Sequence, residues 1–267
     1  MITAFWSTHH GQACTTTNTV AVTCMSALLR KGKHLAAHTH VSRSTLEQCL
    51  FPPRELIGHE AGDFANRGMD ALLRLSRSGR LNSGMVPDYT WSLLRENRLD
   101  VLPGTQKPTR PESGEGKQIL NVFRTAGQHY DHVAIDVHSG LDMEGTHALL
   151  QGADCLVICL NQNQRVLESW FSDNELRGTL ERPSTLILLG RYDNEADVTP
   201  ANIARKYGIP RTRVLPVPYS AALMQACNHG TVYDFLARHV QDARSPEREL
   251  MDSLKRVTEQ LPDGGVA

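Results

Sequence analysis

The stretch ITAFWSTHHGQACTTTNTVAVTCMSALLRKG, residues 2–32, carries the reading on which the fold depends. Residues 2–6 form a short apolar run, as a buried first strand requires. Residues 7–14 are polar and contain one glycine, Gly11. From Thr15 onward Val20, Val22, Met25, Leu28 and Leu29 recur near helical spacing. The run TTTN offers helix-start residues and Gly32 a natural stop, so the order is strand, loop, helix.

Working outward, residues 34–37 read as a second short strand that ends in His38-Thr39-His40. Helical spacing returns over 63–78 (Phe64, Met69, Leu72, Leu73, Leu75), and 99–102 is a strand closed by Pro103-Gly104. Residues 105–116 are rich in proline, glycine and charge and read as a solvated loop, followed by a helix over 117–128. The runs 133–136, 155–160 and 185–189 are apolar without alternation, which fits strands of a parallel sheet buried on both faces. A short helix is predicted over 202–207, a strand over 214–217, and helical stretches over 221–239 broken at Asn228-His229-Gly230. Over 247–261, Leu250, Met251, Leu254, Val257 and Leu261 share one helix face. Its charges are mixed, which suits core packing or partner docking better than attraction to anionic lipid.

Alternating strands and helices argue for an α/β fold with a doubly wound, mostly parallel sheet and helices on both faces. Ligands in such sheets sit at the carboxyl ends of the strands. That directs attention to residues 7–15, 38–42 and 136–142 and to the loops after Leu160 and Leu189.

The 267 residues are 40% hydrophobic and 21% charged, enough for a real core and unlike a fibrous or wholly disordered chain. We expect one domain over 1–245 and a C-terminal amphipathic helix and tail over 246–267. With 28 basic and 29 acidic residues the net charge is -1, so bulk charge gives no drive toward nucleic acid. No apolar run is long enough to span a membrane. The opening residues lack a basic leader, and the six cysteines include no C-x-x-C pair, so a cytoplasmic protein with reduced thiols is expected.

Together these segments resemble the MinD/ParA family of P-loop ATPases. The family's deviant Walker A loop, K-G-G-x-G-K-[ST]-[ST], corresponds to HHGQACTT, residues 9–16. DHVAIDVHSGLD (131–142) looks like the family's strand and switch, with the Walker B-like carboxylate at Asp136. ADCLVICLNQN (153–163), LILLGRYDNEADVTPANIARKYGI (186–209), LPVPYSAALMQACNHG (215–230) and RLDVLPGT (98–105) resemble further core segments in the right order.

The resemblance implies ATP and Mg²⁺ as cofactors. It implies nucleotide contacts from Gly11, Gln12, Ala13, Cys14, Thr15 and Thr16, with Arg191, Pro218 and Tyr219 beside the base. Thr15 and Asp136 would serve the metal, and Asp136 would be the catalytic carboxylate. It further implies a switch that positions or partitions a larger assembly, a plasmid or mobile-element locus or a pilus or secretion machine, through a protein partner.

The departures lie in the chemistry. In this register Cys14 takes the place of the loop lysine, His9 that of the signature lysine, and His10 and Ala13 replace glycines. His38 and His40 stand where the second strand of the family ends in Asp, and Gly190 stands where an Asn precedes the base loop. Phosphoryl transfer relies on cations to offset transition-state charge, and one lost stabiliser costs on the order of 10²–10³ in rate. ATP hydrolysis is therefore expected to be weak or absent. The family's nucleotide-sandwiched dimer loses its signature lysine, and a homodimer through other surfaces stays open.

His9, His10, His38, His40 and His138 all follow predicted strands and share one edge of the sheet. They read as phosphate contacts standing in for lysine, as a metal site, or as loop residues bonded to the backbone. Cys14 reads as a small inert residue or as a thiol of lowered pKa before a helix. Arg191-Tyr192-Asp193 reads as a base-binding edge or a loop cap, and Asp142 and Glu144 as surface residues of the switch. The basic run Arg205-Lys206 with Arg211 and Arg213 reads as a solvated face. Two further functions remain open: a nucleotide-free interaction scaffold, and a metal-dependent enzyme built on the histidines.

Overall fold

The computed structural model describes residues 1–40, 45–63, 67–105, 114–141, 143 and 145–263. The expected loop at 105–116 lies mostly outside the described residues, as do Asp142 and Glu144. The chain runs β1 (Ile2–Trp6), α1 (Thr15–Leu29), β2 (His34–His38), α2 (Leu46–Leu50), α3 (Pro53–Asp63), α4 (Gly68–Arg77), β3 (Trp91–Leu94) and β4 (Leu99–Leu102). It continues α5 (Glu115–Ala126), β5 (His132–Asp136), α6 (Thr146–Gly152), β6 (Cys155–Leu160), α7 (Gln164–Phe171), α8 (Asn174–Leu180) and β7 (Leu186–Tyr192). It ends α9 (Pro200–Tyr207), β8 (Val214–Pro218), α10 (Ala221–His229), α11 (Val232–His239) and α12 (Arg248–Gln260).

The strands form one sheet in the order β3-β4-β2-β5-β1-β6-β7-β8. All neighbours pair in parallel except the edge strand β3, which runs antiparallel to β4. Because the pleat sends successive side chains to opposite faces, each strand feeds two cores. Phe5, Ala36, Val157 and Leu188 join α1, α10, α11 and α12 on one face. Ala4, Trp6, Leu35, Ile158 and Leu189 join α4, α5, α7 and α9 on the other. That two-sided burial is why these strands carry unbroken apolar runs.

Helix α1 stops at Leu29 rather than at the predicted Lys31. Its last carbonyls are taken by tertiary donors: the Arg98 guanidinium donates to the Ala27 carbonyl at 2.8 Å. Arg30 turns extended and donates to the Leu261 carbonyl at 2.8 Å and the Pro262 carbonyl at 3.0 Å. Through these contacts and buried Leu250, Met251, Leu254 and Val257, α12 packs into the same core as α1. Of the readings for residues 247–261, core packing accounts for this face. No described helix is long and apolar enough to cross a membrane.

Two close contacts have measurable consequences. His34 and His132, paired across β2 and β5, stack with ring centroids 4.7 Å apart. Ser26 Oγ sits 3.1 Å from His34 Nε2, and the Arg98 carbonyl lies 3.2 Å from Nδ1. The carbonyl can only accept, so Nδ1 carries the proton and Nε2 accepts from the serine in a neutral ring. Burial, then the neighbouring imidazole, pushes His34 down to about 4. Burial, with Arg30 and the N-terminus, does the same to His132. The second contact lies near the end of β7. A Cβ on Gly190 would stand 2.6 Å from the Ala13 carbonyl oxygen and 2.8 Å from Asn18 Nδ2. The bare glycine lets β7 touch the turn between β1 and α1.

The unfolded chain binds protons on these histidines near pH 6.5, whereas the folded chain resists them until about pH 4. Stability therefore falls as pH drops through that window, by at most about 3 kcal/mol for His34 and less for the more open His132. Urea midpoints at pH 7.5 and 4.5 should differ less in His132→Phe than in the unaltered chain. Gly190→Ala should cost about 1–3 kcal/mol, seen in calorimetry as a thermal midpoint lower by roughly 2–10 °C.

Candidate functional site

Because β1, β2, β5, β6 and β7 run in parallel, their carboxyl ends meet at one edge. The register places Asp136 beside both Phe5 and His38. The turn after β1 crosses this edge with Gly11 at φ 73 and Cys14 at φ 54, both left-handed. Cys14 occupies the cap position of α1 and makes no side-chain cap bond. The first-turn N–H groups of α1 thus find no capping acceptor in this side chain.

Side chains from other elements fix which way the turn faces. Asn161 Nδ2, just past β6, donates to the Gln12 carbonyl at 2.9 Å. Asn18 Nδ2 donates to the Ala13 carbonyl at 3.3 Å. In a trans peptide the N–H points opposite to the C=O, so the N–H groups of Ala13 and Cys14 are turned the other way. Ala13 and Cys14 line a cavity of about 310 Å³ together with Gly11, Thr15, Thr16 and His40, with His10 at its rim. Amide hydrogens of a turn and the positive end of a helix dipole together favour an anion.

Asp136 is completely buried. Its Oδ2 accepts from Thr16 Oγ1 at 2.6 Å, and His40 Nε2 lies 3.1 Å from the same oxygen. Its Oδ1 has no hydrogen-bond partner among the described residues. The hydroxyl on Asp136 is thus that of Thr16, one residue beyond the Thr15 anticipated for the metal. Thr15 instead turns its side chain toward Cys159. Gln12 is anchored to Asn161 by its backbone and is not among the cavity residues.

The histidines divide. His9 Nδ1 lies 3.0 Å from Thr8 Oγ1 and 3.1 Å from Ser169 Oγ, which holds it toward α7. His10 and His40 line the cavity, and the His138 ring packs against both, with centroids 5.9 Å apart for His10–His138 and 5.5 Å for His40–His138. His38 is buried, with Nε2 2.8 Å from Glu47 Oε1, and that oxygen also accepts from the Gly104 N–H at 3.1 Å. Burial opposes charge on His38, but Glu47 and then Asp136 outweigh it and raise its pKa. Glu47 is lowered in turn, because His38 outweighs its burial. No group of three or more His, Cys, Asp or Glu among the described residues is placed to hold a metal ion.

The other expected residues form a second cavity of about 480 Å³, where Arg191, Pro218 and Tyr219 meet Tyr192, Asn194 and Glu249. The Arg191 guanidinium lies 5.6 Å from the Tyr219 ring centroid. It also lies against the Cys14 thiol, so it stands between the two cavities. Burial raises the Cys14 thiol in spite of Arg191, which removes the reading of Cys14 as a thiol of lowered pKa. Asn18, Asn161, Glu47 and Gly190 were not anticipated as parts of the site. Asn161 sits in a loop the sheet topology had already marked, and Gly190 registered only as a missing Asn.

No family model matches the sequence, and no curated protein matches it. Solved structures do. The ParA family ATPase from Chlorobium tepidum TLS superposes with a TM-score of 0.71 over 97% of this chain and 99% of that one, at 15% identity. The septum site-determining protein MinD from Pyrococcus horikoshii OT3, complexed with Mg-ADP, gives 0.68 at 17% identity over 97% of this chain and 94% of that one. A putative plasmid partition protein from Borrelia burgdorferi B31 bound to AMPPNP gives 0.67 at 13% identity over 97% of each chain. The agreement extends over nearly the full length of both partners, and the chain therefore has the MinD/ParA-like P-loop α/β fold.

Proposed function

We propose that this protein is a ParA/MinD-type nucleotide switch that binds ATP with Mg²⁺ at the β1–α1 turn, turns it over slowly or not at all, and acts through a protein partner to position a larger assembly. The observation that carries the reading is the conjunction at Asp136. A fully buried carboxylate holds Thr16 and leaves one oxygen without a partner, beside a cavity lined by the turn.

That donor set is hard oxygen, as Mg²⁺ requires. Thr16 Oγ1 and the Asp136 carboxylate would hold the ion, directly or through water. When bound it would offset phosphate charge. The register supports the same assignment. Slid by one residue, the family pattern sets Gly11 on its first glycine, left-handed Cys14 on its third and Thr16 on the metal hydroxyl. The two lysine places then fall on His10 and Thr15. In either register both ammonium groups are missing.

Binding and chemistry respond differently to that loss. The turn's amides, the helix end and the Thr16–Asp136 pair act on ground-state phosphate, so binding survives. Hydrolysis needs extra charge stabilisation that appears only in the transition state. The loop after β5 is the element a bound nucleotide would bias. The His138 N–H donates to Thr39 Oγ1 at 2.9 Å and the Gly140 N–H to the Ser7 carbonyl at 3.0 Å, while Ser139 reaches the cavity. A phosphate group that engages Ser139 competes with this arrangement, which is how occupancy would be reported to a partner.

Isothermal titration with ATP and Mg²⁺ should show saturable binding and a rise in thermal midpoint. Thr16→Val and Asp136→Asn should each weaken binding about tenfold or more and reduce its dependence on Mg²⁺. Absence of both heat and thermal shift at millimolar ATP would show instead a scaffold that works without nucleotide.

A further inference from the structure

We infer that Arg191 supplies, from β7, the positive charge that the β1–α1 turn lacks, and that its guanidinium contacts the phosphate chain of the nucleotide where the two cavities meet. The inference rests on the nucleotide-binding reading and goes beyond the base-edge role that the family resemblance implies for this residue.

Three observations place the group. First, Gly190 brings the β7 backbone into contact with the Ala13 carbonyl, so the next residue emerges beside the turn. Second, Arg191 is left-handed at φ 52, a conformation a non-glycine residue adopts at a cost and keeps where its surroundings hold it. It redirects the chain at the end of the sheet. Third, the side chain lies against the Cys14 thiol, which lines the first cavity, and over the Tyr219 ring, which lines the second. Among the described residues no carboxylate pairs with it. A permanent cation that forms no ion pair among the described residues, although Asp193 and Glu249 line the same cavity, thus stands next to a turn without a lysine.

The chemistry of the group fits phosphate. A guanidinium stays charged at every physiological pH and offers a planar fork of donors that matches two phosphate oxygens. The two acidic residues of the second cavity, Asp193 and Glu249, suit the donor groups of a base and repel phosphate. This sets a direction for the ligand, with phosphates at the turn, base toward Tyr219, and Arg191 at the junction. The aromatic face that now carries the guanidinium keeps it extended.

The test compares ATP with inorganic tripolyphosphate, both with Mg²⁺, on the unaltered chain, on Arg191→Asn, which tolerates a left-handed backbone, and on Arg191→Lys. The expected result is that Arg191→Asn weakens both ligands about 10–100-fold with an unchanged thermal midpoint of the free protein. Arg191→Lys should recover part of the loss. Unaltered tripolyphosphate affinity in Arg191→Asn would overturn the inference, and a loss confined to ATP would return Arg191 to the base. A chain that binds tripolyphosphate but not ATP would sink the nucleotide reading while leaving the Arg191 comparison intact. A chain that binds neither would sink both.

Discussion

A carboxylate with no solvent exposure organises this end of the molecule. Asp136 closes β5 between β1 and β2, paired with Phe5 on one side and His38 on the other. A buried charge is tolerated only when it is paired, hydrogen-bonded or on a metal. Thr16 meets that demand by a hydrogen bond to one oxygen, and the His40 ring packs 3.1 Å from the same atom. Each comes from a different element, so the onset of α1 and the exit of β2 are tied to the end of β5. Oδ1, which has no hydrogen-bond partner among the described residues, leaves the demand half met, and the Mg²⁺ of the proposed function would complete it.

Much of the architecture was legible because the central strands are buried on both faces. CLVICL in β6 is wholly buried, and an unbroken apolar run of that length has few other uses. Strand β3 was not legible. It is four residues long, lies at the edge and buries only Trp91. Its return to β4 passes through Glu96 and Asn97, both left-handed without a glycine to announce the turn. The short helices α2, α6, α7 and α8 lack the length over which a period shows. Helix α7 begins with Asn163, whose side chain accepts from the Arg165 N–H at 3.0 Å, a cap visible only once the helix is known.

At the site, the strand ends were legible and the side-chain partners within the turn were not. Successive residues of a helix are rotated by about 100°, so of the adjacent hydroxyls at the start of α1 only that of Thr16 is aimed at Asp136. The motif gave Thr15 a metal role, and the structure shows that the hydroxyl bonded to Asp136 is that of Thr16. His9 meets Ser169, and His10 lies at the cavity. Contacts from afar, such as Asn161 on Gln12, decide which side of the peptide faces the cavity, and local sequence carries no record of them.

The loss of both lysines need not have cost the fold its use as a switch. A ligand shifts a conformational equilibrium by its differential affinity for two states, and turnover enters only as a way to reset them. The turn amides and helix end provide roughly half a unit of positive charge before any side chain contributes. What the lysines add in an intact member is largely stabilisation of charge that develops during transfer. On the proposed function, the turn amides, the Thr16–Asp136 pair and the tethered β5 loop are the elements that would sense phosphate. On the same proposal, a protein that lacks those that consume it would be reset by nucleotide exchange or by a partner that supplies a cation.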